Sequence, residues 1–153
     1  MRLFSPDFDH NQEIPLRYTA EGENESPPLR FEDVPEDAVS LTLIVHDPDA
    51  PTGDFVHWVV WNIDPAVREM KAGVLPFAAQ QGENDYGKRG YEGPNPPEGT
   101  GVHHYHFELF ALDTDLDLPA DTTRDDLLFA MEDHEIDRAE LIGSYEKEGE
   151  LVA

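Results

Sequence analysis

Two consecutive stretches of strand-like patterning, joined by a short acidic turn, constrain this chain most. Ser40–His46 alternates Leu41, Leu43 and Val45 with Thr42, Ile44 and His46, the period-two spacing of a β-strand. After Asp47-Pro-Asp-Ala-Pro-Thr-Gly-Asp54 comes Phe55–Ile63, apolar at almost every position. A connection this short predicts an antiparallel pair. One ionisable residue, His57, lies inside the second strand. On simple alternation it shares a face with Phe55, Val59 and Trp61. The plainest account of His57 is a core histidine donating to a backbone carbonyl. The plainest account of Asp47 and Asp49 is a pair of Asx-turns ahead of Pro48 and Pro51.

The other elements follow from the same reading. Residues 1–39 are turn-rich, with short strand candidates at Leu3-Phe4, Ile14–Tyr18 and Leu29–Phe31 between proline and acidic clusters. A short helical piece fits Pro65–Lys71. His103–Leu112 is a third strong strand, with His103, Tyr105, Phe107, Leu109 and Ala111 on one face and His104, His106, Glu108, Phe110 and Leu112 on the other. Thr123 is placed to cap a helix over about Arg124–Glu135, with Asp125 and Asp126 in its first turn. A last strand fits Ala139–Tyr145. Between them, 84–101 is rich in Gly and Pro. Gly allows close backbone approach and Pro stiffens the path, so this segment is expected to be an ordered wall of a site.

Length and composition bound the rest. A chain of 153 residues predicts a single domain, 1–153, with a real core. Cysteine is absent, which excludes thiolate nucleophiles, disulfides and Cys-based zinc sites. No signal-peptide pattern opens the sequence and no apolar run has the length of a membrane helix; a cytoplasmic protein without stable membrane insertion is expected. Asp and Glu number 34 against 10 Lys and Arg, a formal net charge of -24. Such a field repels nucleic acid. Spread along the whole chain, it reads as the solvating surface of a halophile, because molar salt shortens the Debye length to about 3 Å and screens the self-repulsion.

Local motifs leave the chemistry open. No Gly-x-Ser-x-Gly elbow or phosphate loop is present. His104-x-His106-x-Glu108 has the spacing of three ligands on one strand face, but a solvated strand face has the same pattern; no metal and no cofactor is assigned. Asp47 with His57 forms a candidate acid–base pair lacking an evident nucleophile.

Taken together, Asp47-Pro-Asp-Ala-Pro, Phe55-Val-His57-Trp-Val-Val and Gly90-Tyr-Glu-Gly93-Pro-Asn-Pro-Pro-Glu-Gly-Thr-Gly-Val-His103-His-Tyr105 occur in one order. This resembles the phosphatidylethanolamine-binding protein family, also called Raf kinase inhibitor proteins, in its short bacterial and archaeal form. The resemblance spans nearly the whole chain and extends to Ala139-Glu-Leu-Ile-Gly-Ser-Tyr145. It implies a mainly β fold: a large antiparallel sheet packed on a smaller sheet, with a few peripheral helices. It also implies a pocket for a small anionic or phosphorylated ligand. By position, Asp47, Asp49, His57, His103 and Tyr105 match the pocket, and Gly93 and Pro94 match its rim. His104 stands where many relatives carry Arg, and Asn95 where a smaller residue is common. The chain ends eight residues after Tyr145, without the C-terminal helix of animal members, so kinase inhibition is not implied. A homodimer fits the prokaryotic form; a protein partner is unknown.

The mechanism expected from this set has two imidazoles donating to an anionic oxygen, Asp47 accepting the far proton of one ring, and Lys88 with Arg89 offsetting the acidic field. The alternative is a hydrolase using the Asp47/His57/His103 cluster for acid–base or metal-assisted chemistry. A third reading is a regulatory interaction module acting through the pocket.

Overall fold

The computed structural model describes residues 1–147. Its strands are β1 (Arg2–Phe4), β2 (Gln12–Glu13), β3 (Leu29–Glu32), β4 (Ser40–Asp47), β5 (Phe55–Ile63), β6 (Glu69–Met70), β7 (Gln80–Gln81), β8 (His103–Leu112) and β9 (Glu135–Tyr145), with one α-helix, α1 (Arg124–Met131). Six strands form a sheet in the order β2-β9-β8-β4-β5-β7, and three form a second in the order β1-β3-β6. All pairs are antiparallel except β2 with β9. The fold is therefore mainly β, a large sheet packed on a smaller one, as expected.

The period-two pattern of β4 explains the layering. Leu41, Leu43 and Val45 enter a core shared with Leu3, Leu29, Phe31 and Met70 of the small sheet. Ile44, on the other face, joins Val59, Trp61 and Phe110 beneath Leu127 and Met131 of α1. A central strand is thus buried on both sides, which its near-continuous apolar sequence permits. The exposed edges are two-residue strands, β2 and β7, too short to template pairing with another chain. Among the described residues no helix is long and apolar enough to cross a membrane.

Four expectations change. The helix stops at Met131, not Glu135: Thr123 and Asp126 form a reciprocal capping box, but Asp133 takes a positive φ of 66° and turns the chain into β9, which starts at Glu135. Pro65–Lys71 is not helical, because its end pairs with β3 as β6. Ile14–Tyr18 is not a strand; Leu16–Tyr18 is a 3-10 turn entered from Pro15. The few helices expected reduce, among the described residues, to α1 and this turn.

On the large sheet's α1 side, His46 is clamped between two carboxylates. Its Nδ1 lies 2.7 Å from Asp54 Oδ1, and its Nε2 contacts Glu108 Oε1. The ring also packs on His106 at 5.4 Å, while Arg124 pairs with Asp54 at 2.7 Å and Arg138 with Glu108 at 3.9 Å. Burial disfavours the imidazolium, but the hydrogen bonds to Glu108 and Asp54 outweigh it and raise the His46 pKa. A raised histidine value stabilises the fold fully below the unfolded value of about 6.5, and the gain is lost as pH rises through the folded value. The melting temperature is therefore expected to fall between about pH 6 and the alkaline side of neutrality, and His46→Gln to flatten that fall. A wild-type and variant with identical slopes in a pH series of thermal melts would remove His46 from this account.

Candidate functional site

One end of the large sheet brings together the last residue of β4, the first residues of β5 and the first residues of β8. Asp47, His57, His103 and Tyr105 all line one cavity of about 230 Å³, with Phe55 and Tyr86 among its other walls. That volume is below the range of about 300–1,000 Å³ usual for drug-sized ligands; it suits a headgroup-sized one. Among the described residues, none of the lining side chains is Lys or Arg.

Asp47 and His103 form the floor. Asp47 Oδ2 lies 2.6 Å from His103 Nδ1, and the two side chains are 4% and 2% exposed. Asp47 Oδ1 accepts the Asp49 backbone N–H at 2.8 Å, so both carboxylate oxygens are engaged. A carboxylate only accepts, so Nδ1 of His103 carries a proton and the ring presents Nε2 to the cavity side. There Nε2 meets the Thr100 hydroxyl at 2.9 Å, which is also 2.6 Å from the Pro97 carbonyl. Asp47 thus holds His103, and not His57 as the local acid–base reading had it.

His57 reaches the cavity through a β-bulge. Val45 pairs with Trp58 but His46 with Val56, so His57 is an extra residue in β5. A bulge re-aims the side chains that follow it. His57 therefore sits 5.2 Å from the ring of Tyr105, on the side of Trp58 and Val60, while Val59 and Trp61 pack under α1. The simple alternation that grouped His57 with Val59 and Trp61 fails at this one inserted position. Nδ1 of His57 lies 2.6 Å from the Glu92 carbonyl. A carbonyl accepts only, so that nitrogen donates and Nε2 is left as an acceptor when the ring is neutral. Burial lowers the His57 pKa; the Glu92 carbonyl and the Asp47, Asp85 and Glu92 carboxylates oppose that shift without reversing it. Of the two expected donor imidazoles, His57 therefore has no N–H to offer the cavity while its ring is neutral.

The aromatic wall is continuous. Phe55 packs edge-on against Tyr86 at 4.7 Å, and His57 edge-on against Tyr86 at 5.9 Å. Tyr105 stacks on His103 at 6.5 Å. Burial first, and then the Asp47 charge, push the Tyr105 phenol well above its usual range, so it is a protonated donor. Tyr86 is raised by burial and by Glu92 and Asp47. Its place in an Asn84-Asp-Tyr-Gly turn, capped by Asn84 Oδ1 accepting the Tyr86 N–H at 2.9 Å, carries no sequence signal of a site, and sequence reasoning missed it.

The remaining expected residues lie around the cavity, not in its lining. Asp49 turns outward: its Oδ2 accepts from His104 N at 2.9 Å and pairs with His104 Nδ1 at 2.7 Å. Those bonds outweigh desolvation and lower the Asp49 pKa. Gly93 and Pro94 brace the rim from behind. Gly93 N donates to Asn24 Oδ1 at 2.7 Å, and Asn24 Nδ2 donates to Glu92 Oε2 at 2.8 Å. The Pro94 carbonyl accepts from Ala20 N at 3.0 Å. Asn95, Pro96 and Pro97 are the loop residues that line the cavity, and Lys147 Nζ donates to Asn95 Oδ1 at 2.7 Å. Lys88 and Arg89 are spent elsewhere, on Glu92 at 3.5 Å and on the Gln81 carbonyl at 2.9 Å. The His104, His106 and Glu108 side chains go to separate partners, Asp49, Glu140 and His46. Among the described residues no three His, Asp or Glu side chains form a metal-binding group.

These features define a two-sheet β-protein with a cavity built at one end of its large sheet. The chain belongs to the phosphatidylethanolamine-binding protein family, whose sequence profile matches residues 4–146. It is 49% identical over 147 residues to a UPF0098 protein of Pyrococcus abyssi, covering 92% of this chain and 82% of that one. A phosphatidylethanolamine-binding protein homologue of Chlamydia trachomatis, CT736, superposes with a TM-score of 0.91 at 43% identity, over 95% of this chain and 97% of that one. YbcL of E. coli, described as a member of the mammalian family, superposes with a TM-score of 0.90 at 30% identity, covering 95% and 98%.

The rim has no room for a side chain at Gly93. A Cβ there would collide with the Tyr18 carbonyl and lie 2.8 Å from Asn24 Oδ1. Gly93→Ala is expected to destabilise the fold by about 1–3 kcal/mol, the usual cost of overpacking, read as a lowered denaturation midpoint. A neutral midpoint would show that the 18–24 segment yields and does not brace the loop.

Proposed function

We propose that this protein binds a small oxyanion, of the size of a phosphate or phospholipid headgroup, in the Asp47–His57–His103–Tyr105 cavity, and acts by holding that ligand and not by turning it over. The observation that carries this reading is the Asp47–His103 pair at 2.6 Å, set in an otherwise aromatic, proline-walled cavity. With Nδ1 of His103 donating to Asp47, a second proton on the ring sits at Nε2, where a charge-assisted bond to an anion's oxygen is about twice as strong as a neutral one. Tyr105 adds a second donor. His103 Nε2 now meets the Thr100 hydroxyl at 2.9 Å, the contact a ligand oxygen would replace. Nothing in this set argues for hydrolysis: that hydroxyl also lies 2.6 Å from the Pro97 carbonyl, which competes with His103 for its proton.

The test is a thermal-shift panel of phosphates and carboxylates at molar potassium chloride, where the acidic surface, read as salt adaptation, is screened. A ligand at about one hundred times its Kd raises stability by about 2.7 kcal/mol. Phosphate-bearing ligands are expected to do so. His103→Ala is expected to abolish the shift and His104→Ala, on the opposite strand face, to leave it. Equal shifts in wild type and His103→Ala would end this reading. Without ligand, the melting temperature is expected to climb with salt concentration; a protein equally stable in dilute buffer has no salt adaptation in its surface.

A further inference from the structure

The polar groups facing the cavity are unequal in what they offer a ligand. His57 is 3% exposed, and its Nδ1–H is committed to the Glu92 carbonyl at 2.6 Å. The same backbone is tied back by Glu92 N donating to the His57 carbonyl at 3.2 Å, which holds the Glu92 carbonyl beside the ring. A neutral imidazole has one N–H. Nε2 is therefore a bare lone pair, and among the described residues it has no hydrogen-bond partner, although the ring lines the cavity. It is not one of the buried side-chain atoms left without a partner, which among the described residues are Thr42 Oγ1 and Trp61 Nε1; it is an acceptor reached from the cavity, open to a donor that enters there.

The surroundings keep it an acceptor. Asp47 from β4, Asp85 and Glu92 from the loops, and the phenols Tyr86 and Tyr105 face the ring, together with Phe55. His103, on β8, is the other titratable group of the floor. The three carboxylates favour a proton on His57, but burial dominates and its pKa is lowered. Asp47 has no free oxygen, since one accepts from Asp49 N and the other from His103 Nδ1. Among the described residues no Lys or Arg lines the cavity, and the rim ammonium of Lys147 is bonded to Asn95. A fully deprotonated dianion would set its lone pairs against that of His57. It would also bring two charges to a floor whose one candidate cation, His103, is already matched by Asp47.

We infer that the ligand binds with one O–H retained and donates it to His57 Nε2, so that the cavity takes a singly charged, still-protonated oxyanion such as a phosphomonoester monoanion, in preference to its dianion or to a phosphodiester. This rests on the oxyanion reading above and adds the protonation state and substitution of the ligand. His103 and Tyr105 serve the charged oxygens; His57 serves the protonated one. A phosphodiester presents no O–H, and a monoester loses its second proton near about pH 6.

The experiment is calorimetric titration of the full chain at molar potassium chloride from about pH 5 to about pH 9 with three probes. Methyl phosphate holds a second proton, methylphosphonate holds one to higher pH, and dimethyl phosphate has none in this range. Affinity for methyl phosphate is expected to fall roughly tenfold per pH unit above its second pKa, and the bend for methylphosphonate to lie higher by the difference between the two ligands' pKa values. Dimethyl phosphate is expected to bind at least about tenfold more weakly than methyl phosphate at the acid end, as loss of one charge-assisted bond implies. A bend at one common pH for methyl phosphate and methylphosphonate assigns the titration to the protein and overturns the inference. Dimethyl phosphate binding as tightly as methyl phosphate overturns it too, while leaving the oxyanion reading standing. No binding by any probe at any pH overturns both. Ring-nitrogen NMR of the unliganded protein gives an independent check: His57 is expected as the Nδ1–H tautomer, and a proton on Nε2 overturns the inference.

Discussion

The Asp47–His103 contact is the interaction on which the site depends. Two ionisable groups at 4% and 2% exposure are costly to bury unless every lone pair and proton is matched. Here they are: Asp47 takes one N–H from the ring and one from the Asp49 backbone. The pair ties the end of β4 to the start of β8, just beyond the register pair His46 and His106. It fixes which His103 nitrogen faces the cavity, and the stacking of Tyr105 on that ring sets the phenol beside it. Loss of either partner leaves the other buried and unmatched, so the geometry of the floor and the stability of that sheet end are one property.

How much of this was legible in the sequence differs between two neighbouring strands. In β8, plain alternation holds along its length. It placed His103 and Tyr105 on the inner face and His104 on the outer one, where the structure has them. In β5 the alternation breaks at two register shifts, one between Val60 and Ile63 and one at His57. An all-apolar strand gives no sequence mark of a bulge, because every position is compatible with either core. The family resemblance grouped His57 with His103 and Tyr105, which line one cavity with it, while the periodicity assigned it to the other face. The helix end was misjudged for a related reason: Glu132, Asp133 and His134 carry no Gly or Pro, and the left-handed turn at Asp133 uses a residue type that tolerates it without announcing it.

The outer face of β8 shows the reverse case, a suggestive pattern that resolves into separate ion pairs. His104, His106 and Glu108 are spaced as ligands would be, but each has a closer acidic or basic neighbour from another strand or turn. In a chain with 34 acidic residues, histidines on a half-exposed face meet carboxylates by number alone. What is specific is His46, which is held at both ring nitrogens and which, through Asp54, reaches the turn carrying Ala50, Pro51 and Thr52 into the cavity wall.

That distribution decides where selectivity resides. A net charge of -24 repels every anion, and a dianion twice as strongly as a monoanion, but at molar salt the Debye length is about 3 Å. Beyond the first layer of contacts the global field is then screened and discriminates little. What survives screening is short-range: which atoms in the cavity have hydrogens to give and which have lone pairs to fill. His103 and Tyr105 supply the hydrogens. His57 supplies the lone pair, and it does so because a backbone carbonyl, Glu92, occupies its other nitrogen at 2.6 Å. The loop that presents this carbonyl is held by Asn24 and by the close approach at Gly93. A glycine 36 positions away from the histidine thus helps to hold the carbonyl that fixes the tautomer of the ring.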